Sequence, residues 1–354
     1  MSNISIEVLS SWDAYLSNFS EMQRDIYFTE EYTKLYENRE SQIECVVCTE
    51  NGRCAIMPFV KRPIPANLLT GSENETYYDM ETPYGYGGFI SNTNIEWTKS
   101  AINAAVDYLK RKNYICSFIR FCPLLNNAEY CRDLFTVIDD RKTIAIDTAS
   151  DIDAIWMQQI SSKNRNIIQK AEKNGLIFES DYEFHYLPDF IELYNSTMKR
   201  LSADDFYFFP EDYYAKFKNT LKEKSFLGVV KLCDEIVASA MFMYTNVYGH
   251  YHLAGSNPDG TKLGANNFML WNVAKEMNKL GIKEFHLGGG TDGNSENSLF
   301  KFKSSFSKNE KQFSIGKLII NQEIYNKICL NWEKENPELN RKYGNRLLKY
   351  RYNK

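Results

Sequence analysis

No uninterrupted apolar run in this 354-residue chain approaches the ~18 residues needed to span a bilayer. Met1 to Ser20 carries acids and has no apolar stretch of the kind a secretory signal needs. Strong charge of one sign is also missing: 42 Lys/Arg against 46 Asp/Glu leave a net −4, which argues against a basic nucleic-acid binder. Histidine is scarce, at four, and no three metal ligands stand at a recognisable spacing. The eight cysteines come without an export signal, so reduced thiols and a cytoplasmic location are expected. Cys45-Val46-Val47-Cys48 has no second pair to complete a zinc knuckle. It also sits in a strand-like run, where positions three apart face opposite sides. Buried, inert thiols and no metal are the expectation.

What is present is ordinary globular composition, 43% hydrophobic and 25% charged. At about 150 residues per domain, two domains are expected. The 24 Tyr and 22 Phe suit β-rich cores and pockets that stack planar groups. From Arg341 to Lys354 there are six Lys/Arg, three Tyr and no acid. Such a tail is either a solvated last helix or a surface for RNA, an anionic precursor or a membrane.

The first half reads as a helix capped by Thr29, then strands 42–49 and 53–59 joined by the hairpin signal Asn51-Gly52. A glycine-aromatic loop (Pro83-Tyr84-Gly85-Tyr86-Gly87-Gly88), a helix at 95–112, a strand at 114–121, a short helix and a strand at 142–147 follow. The second half repeats that order. It has a helix over 151–174 and another over 188–201, then strands 226–233, 236–244 and 248–254. A loop at 255–264, a helix at 265–280, a strand at 282–287 running into Gly288-Gly289-Gly290, a short helix at 299–306 and a strand at 312–320 complete it. The shared order predicts an α/β (α+β) chain of two copies of one unit with a mixed sheet. The division is expected near Ser150, giving domains 1–150 and 151–354.

Several residues have the chemistry of a site. His250 and His252 are alternate residues of one strand, and His286 ends the next; if the strands are neighbours, a pair could hold a general base near pH 7. Gly288 to Gly293 matches G-x-G-x-x-G after a strand, but the long helix and downstream acid of a dinucleotide fold are missing. Lys262, Gly264 and the helix start at Ala265 suit a phosphate or pyrophosphate, or are a plain strand-to-helix turn. Lys303, among Phe300, Phe302 and Phe306, could stabilise negative charge near a glycine-lined cleft.

Asn164-Arg165-Asn166-Ile167-Ile168-Gln169-Lys170-Ala171-Glu172-Lys173-Asn174-Gly175 resembles the R-x-x-I-x-K-A-x-K-x-G helix of FemABX-like proteins. Leu253-Ala254-Gly255-Ser256 with Leu263-Gly264-Ala265 and Leu270-Trp271 resembles their strand–loop–helix segment. Phe285-His286-Leu287-Gly288-Gly289 with Leu299-Phe300-Lys301-Phe302-Lys303-Ser304-Ser305-Phe306 resembles their D-x-G-G … F-K-x-x-F ending. The resemblance implies two tandem GNAT-like domains, each a mixed, mostly antiparallel sheet flanked by helices, that transfer an acyl or aminoacyl group to an amine. By it, Lys303 matches a lysine tied to phosphate or oxyanion contacts, and Arg200 an arginine near acceptor phosphates. Tyr251 lies in the strand that carries a site tyrosine, with His252 and His286 as candidate bases. Arg165, Tyr207, Tyr84, Tyr86, Lys262, Gly264, Gly288 and Gly289 are the further substrate-binding candidates. The acetyl-CoA pyrophosphate signature is not matched at Gly260 to Ala265, and no long heptad arm of some tRNA-dependent Fem enzymes is present. The donor therefore stays open between acyl-CoA and aminoacyl-tRNA, and no bound cofactor is expected.

Two functions follow as expectations. One is an amine acyl- or aminoacyltransferase acting on a small amine, an amino sugar or a muropeptide of a cell-wall or surface-polysaccharide precursor. The other is a non-catalytic ligand-binding protein with the same tandem fold.

Overall fold

The computed structural model describes residues 3–69 and 75–352. In chain order the strands are β1 (Ser5–Leu9), β2 (Gln42–Glu50), β3 (Arg53–Pro63), β4 (Tyr78–Glu81), β5 (Ile90–Ser91), β6 (Tyr114–Arg120), β7 (Thr136–Asp147), β8 (Leu176–Asp181), β9 (Ser225–Leu232), β10 (Glu235–Tyr244), β11 (Tyr248–Ser256), β12 (Glu284–Gly289) and β13 (Asn309–Ile319). The helices include α1 (Ile95–Arg111), α2 (Ser162–Lys173), α3 (Leu187–Arg200), α4 (Glu211–Leu221), α5 (Ala265–Lys279), α6 (Ser298–Ser304) and α7 (Gln322–Glu335).

The chain divides into two units, Met1–Asp139 with Phe313–Lys354, and Asp140–Gln312. Within the first, the strand order is β1-β2-β3-β4-β6-β13, antiparallel except for the parallel β4–β6 pair. Within the second it is β8-β9-β10-β11-β12-β7, antiparallel except for the parallel β11–β12 pair. A parallel pair needs a crossover, and α1 supplies it in the first unit, α5 in the second. The two units are therefore two copies of one mixed, mostly antiparallel sheet with helices packed on it.

The sixth strand of each copy is supplied out of chain order. β7 comes before the rest of the second unit, and β13 returns to the first, where Ile315–Ile319 pair with Cys116–Arg120. Helix α7 follows it and buries Ile328 and Trp332 with Ile64, Leu68, Ile115 and Tyr350. The division thus differs from the expected 1–150 and 151–354: residues 313–354 complete the first unit, and residues 140–150 belong to the second.

Local chemistry explains most elements. Asn51 and Gly52 both take positive φ (49° and 80°), the conformation of a two-residue hairpin between β2 and β3. Asn94 caps α1 by accepting from the Trp97 N–H at 3.0 Å, and Trp97, Ala101, Ile102, Ala105 and Leu109 form its buried face. The helix expected over 151–174 is interrupted. A π-type turn, Ile155–Gln159, ends at Ile160, and Ser161 then starts α2 by accepting from the Asn164 N–H at 3.3 Å. In the second unit, α5 lays Phe268, Met269, Leu270, Val273, Ala274 and Met277 into the core.

Part of the basic tail is tied into the first unit. Arg351 Nε donates to Asp79 at 2.7 Å and its Nη2 to the Pro63 carbonyl at 2.8 Å. Lys349 pairs with Glu333, and the Tyr343 and Tyr352 rings stack at 3.9 Å. Cys45 and Cys48 are buried in β2; burial pushes both thiols up, Cys48 to about 12.

Candidate active site

β11 and β12 are paired at Tyr248–Glu284, Gly249–Phe285 and His250–His286, and the pairing ends there among the described residues. β11 runs on to Ser256 and β12 to Gly289. Each strand carries a bulge just past the last shared pair. Against β10, Phe242 faces Tyr251 and Met241 faces Leu253, so His252 is the extra residue. Against β7, Ala145 faces His286 and Ile144 faces Gly288, so Leu287 is the extra residue. Gly288 takes φ +74°, which suits glycine at a bulge. A bulge bends and twists its strand, and two of them carry β11 and β12 away from each other. The facing edges past His250 and His286 are thereby released from their shared ladder.

Lys303 lies where the strands part. Asn297 starts α6 by accepting from the N–H groups of Leu299 (3.0 Å) and Phe300 (3.2 Å), and the helix delivers Lys303 inward. The side chain is 8% exposed. Its Nζ donates to the Gly289 carbonyl on β12 at 2.9 Å and stands 5.7 Å from the centre of the Tyr251 ring on β11. Burial pushes the amine down to about 7, and the nearby Arg141 guanidinium pushes the same way. Tyr251 stacks on Phe242 at 5.6 Å, and burial raises its hydroxyl above the usual tyrosine range.

The histidines are arranged differently from the expectation of a base near pH 7. His250 and His286 do meet, edge to face, with ring centres 5.8 Å apart. His286 is buried, and its Nε2 shares a 2.8 Å hydrogen bond with Thr143 Oγ1. Burial, His250, Lys303 and Lys311 hold it well below the usual imidazole range. His252, displaced by its bulge, joins Tyr213 through a 2.6 Å hydrogen bond and stacks on Phe217 at 5.9 Å. Burial, with His250, pushes it down to about 3. Of His252, His286 and Lys303, the group brought near neutrality is Lys303.

The other candidates separate. Arg200 donates to the Ser256 carbonyl at 2.8 Å, at the end of β11, beside Thr197, which accepts from the Ser256 N–H at 3.0 Å. Gly264 begins α5 with φ +76°, and a Cβ there would meet Ile167 Cγ2 at 2.6 Å, so the glycine is also required by packing. Lys262 is exposed and pairs with Asp259 at 3.2 Å. Arg165 points its Nη1 at the carbonyls of Trp156, Met157 and Ile160, at 3.2, 3.2 and 2.6 Å, which ties it to the end of the π-type turn. Tyr207 is exposed, and its carbonyl accepts from Tyr194 at 2.8 Å. Tyr84 and Tyr86 belong to the first unit, where Tyr86 packs edge-on against Tyr27 at 5.2 Å and the Tyr84 carbonyl accepts from Tyr32 at 2.6 Å.

Arg141, Thr143 and Tyr213 were missed by the sequence reading. Arg141 reads as part of an ordinary charge run, and the others carry no spacing signal at all. Among the described residues no three His, Cys, Asp or Glu side chains are placed to hold a metal ion, and no helix is long and apolar enough to cross a membrane.

Residues 160–303 match the family model of the acetyltransferase (GNAT) domain. Among solved structures, the chain is similar to FemX, with a TM-score of 0.67 over 90% of this chain and 99% of that one, at 14% identity. It is also similar to the C-terminal domain of a putative lysylphosphatidylglycerol synthetase from Agrobacterium fabrum, with a TM-score of 0.53 over 89% and 93% of the two chains, at 14% identity. At these identities the likeness establishes the fold. No curated protein sequence matches the chain.

Proposed function

From a chain that carries a GNAT acetyltransferase domain on a FemX-like fold, we propose an N-acyltransferase in which Lys303 and Tyr251 move the protons. The observation that supports this is the position of Lys303: one amine of depressed basicity touches Gly289 of β12 and faces Tyr251 of β11 where those strands separate.

The chemistry then follows from the groups present. The acceptor amine attacks the donor carbonyl, a C–N bond forms, and the carbonyl oxygen becomes an oxyanion. Neutral Lys303 takes the proton from the attacking nitrogen. The C–S bond of a thioester breaks, and the electron pair leaves on sulfur. The Tyr251 hydroxyl, held protonated by burial, gives the thiolate its proton and regains one from Lys303. Released strand edges of β11 and β12 supply backbone N–H groups for an amide-bearing donor and for the oxyanion. Of the two donors the sequence leaves open, the GNAT match favours acyl-CoA over aminoacyl-tRNA. The proposed acceptor is an amino-sugar or muropeptide amine of a cell-wall precursor, following the FemX-like fold. Arg200, at the end of β11, is the proposed partner for an acceptor phosphate.

A donor screen read by mass spectrometry tests this. Acyl-CoA and charged tRNA are offered against amino-sugar and muropeptide acceptors, with wild type beside Lys303→Ala. Acylated product with wild type, and a loss of ~10²-fold or more in a folded Lys303→Ala protein, is the expected result. Undiminished turnover by that variant overturns the role of Lys303. Binding of both substrates without product favours the ligand-binding alternative.

A further inference from the structure

We propose that Arg141, on β7, is a positioning residue for Lys303: its guanidinium clamps the glycine run that aims the Lys303 amine. The inference rests on the transferase reading for its consequence and on geometry for its substance.

Arg141 Nη1 donates to the Gly290 carbonyl at 2.8 Å, one residue beyond the Gly289 carbonyl that receives Lys303 Nζ at 2.9 Å. Gly289 is also the register partner of Thr143 in the β12–β7 pair. A Cβ on Gly289 would stand 3.2 Å from Arg141 Cδ and 2.7 Å from the Lys142 carbonyl, so the guanidinium stem lies directly against this stretch of backbone. Gly289 therefore has its carbonyl orientation fixed from both sides, by the β7 ladder before it and by the Arg141 fork after it. A carbonyl dipole held this way fixes the direction of the ammonium or amine that bonds to it.

The same placement puts a second cation near the first. The groups facing Lys303 are Arg141 from β7, with Asp140 bonded to its Nε, Tyr251 from β11 and His286 from β12. His286 is neutral, so the guanidinium is the charge among them that opposes protonation of Lys303. Arginine suits both tasks, because its fork reaches a carbonyl while the charge persists at every working pH.

The test reads the amine directly. Protein labelled with ¹³C/¹⁵N-lysine is titrated by NMR, with the Lys303 signal assigned by its loss in Lys303→Gln, and kcat and KM are measured across pH. In Arg141→Gln the Lys303 titration is expected to move upward in pH, and the acid limb of kcat is expected to move with it. In Arg141→Lys, which keeps the charge and loses the fork, the titration is expected to stay near the wild-type value while kcat drops at least tenfold and KM holds. If Arg141→Gln fails to fold, the Arg141→Lys arm alone decides. A folded Arg141→Gln protein with an unmoved Lys303 titration, or a fully active Arg141→Lys protein, overturns the proposal. A Lys303 titration that moves in a protein with no transferase activity even as wild type sinks the transferase reading and leaves the coupling standing.

Discussion

His250 and His286 are register partners in the last shared rung of β11 and β12, and their rings meet at 5.8 Å on the closed side of the point where the strands part. The proposed chemistry lies on the open side, at Lys303. Of the buried imidazoles, His286 and the neighbouring His252 are held low by burial, and their titration is expected in stability.

His252 and His286 are both neutral in the folded chain and would protonate near pH 6.5 when unfolded. The unfolded state then binds more protons below that pH, so stability falls as pH drops from about 6.5 toward 3. The expected slope approaches ~1.4 kcal/mol per pH unit for each imidazole. Urea unfolding at several pH values should flatten in the variant His252→Phe/His286→Leu. An unchanged slope would count against buried neutral imidazoles.

Lys303 carries the opposite cost. A buried amine held near 7 against an unfolded value near 10.5 destabilises the fold most at pH 7 and below, and not at all above about 10.5. Lys303→Met is expected to raise stability by on the order of 2 kcal/mol at pH 6 while abolishing transfer. The gain should fade as pH rises toward 10, which denaturant melts at two pH values will show.

Tyr251→Phe keeps the ring that stacks on Phe242 and removes the hydroxyl. The expected result is a fall of ~10–100-fold in kcat with KM and melting temperature little changed. A thioester whose leaving thiol is already acidic should restore much of the rate.

In the first unit, Asp79 is fully buried between Arg62 (3.0 Å) and Arg351 (2.7 Å). Breaking a buried pair leaves uncompensated charge, so Asp79→Asn is expected to cost about 3 kcal/mol. Calorimetry of the variant measures this. The same ion pairs occupy part of the basic tail, so the tail's affinity for RNA should be weak and steeply lost with salt.

Much of the fold was legible because it is local. The Asn51-Gly52 hairpin, the Asn94 cap and the amphipathic faces of α1 and α5 each announce themselves within a few residues. The order of elements, repeated once, announced the duplication. The β8 strand was not legible because its apolar residues Leu176, Ile177 and Phe178 run consecutively and do not alternate. The α4 helix was not legible because no side chain caps its start after Pro210, although Tyr213, Tyr214, Phe217 and Leu221 share one buried face. The break at Ile160 needed weight on Ser161 as a cap. The unit boundary was hidden for a different reason: the pairing of residues 116–120 with 315–319 is a contact across two hundred positions, and no local pattern encodes it.

At the site, the motif residues Lys303, Tyr251 and Gly289 proved to be neighbours. The sequence offers the imidazoles as candidate bases because histidine titrates near neutrality in water, whereas burial here holds His286 well below that range and brings Lys303 down to about 7. Arg141 could not be singled out from Asp140-Arg141-Lys142, since its meaning comes from a carbonyl 149 positions away.

The late return of β13 has a consequence for biosynthesis. While the ribosome is still translating, the first 139 residues lack a strand and the helix that covers Ile64, Leu68 and Ile115. That half-built sheet presents an open edge and bare apolar surface until residues 313–354 have been made. A stop before residue 313 should therefore leave the unit made earlier, not the one made later, in the hands of chaperones and proteases.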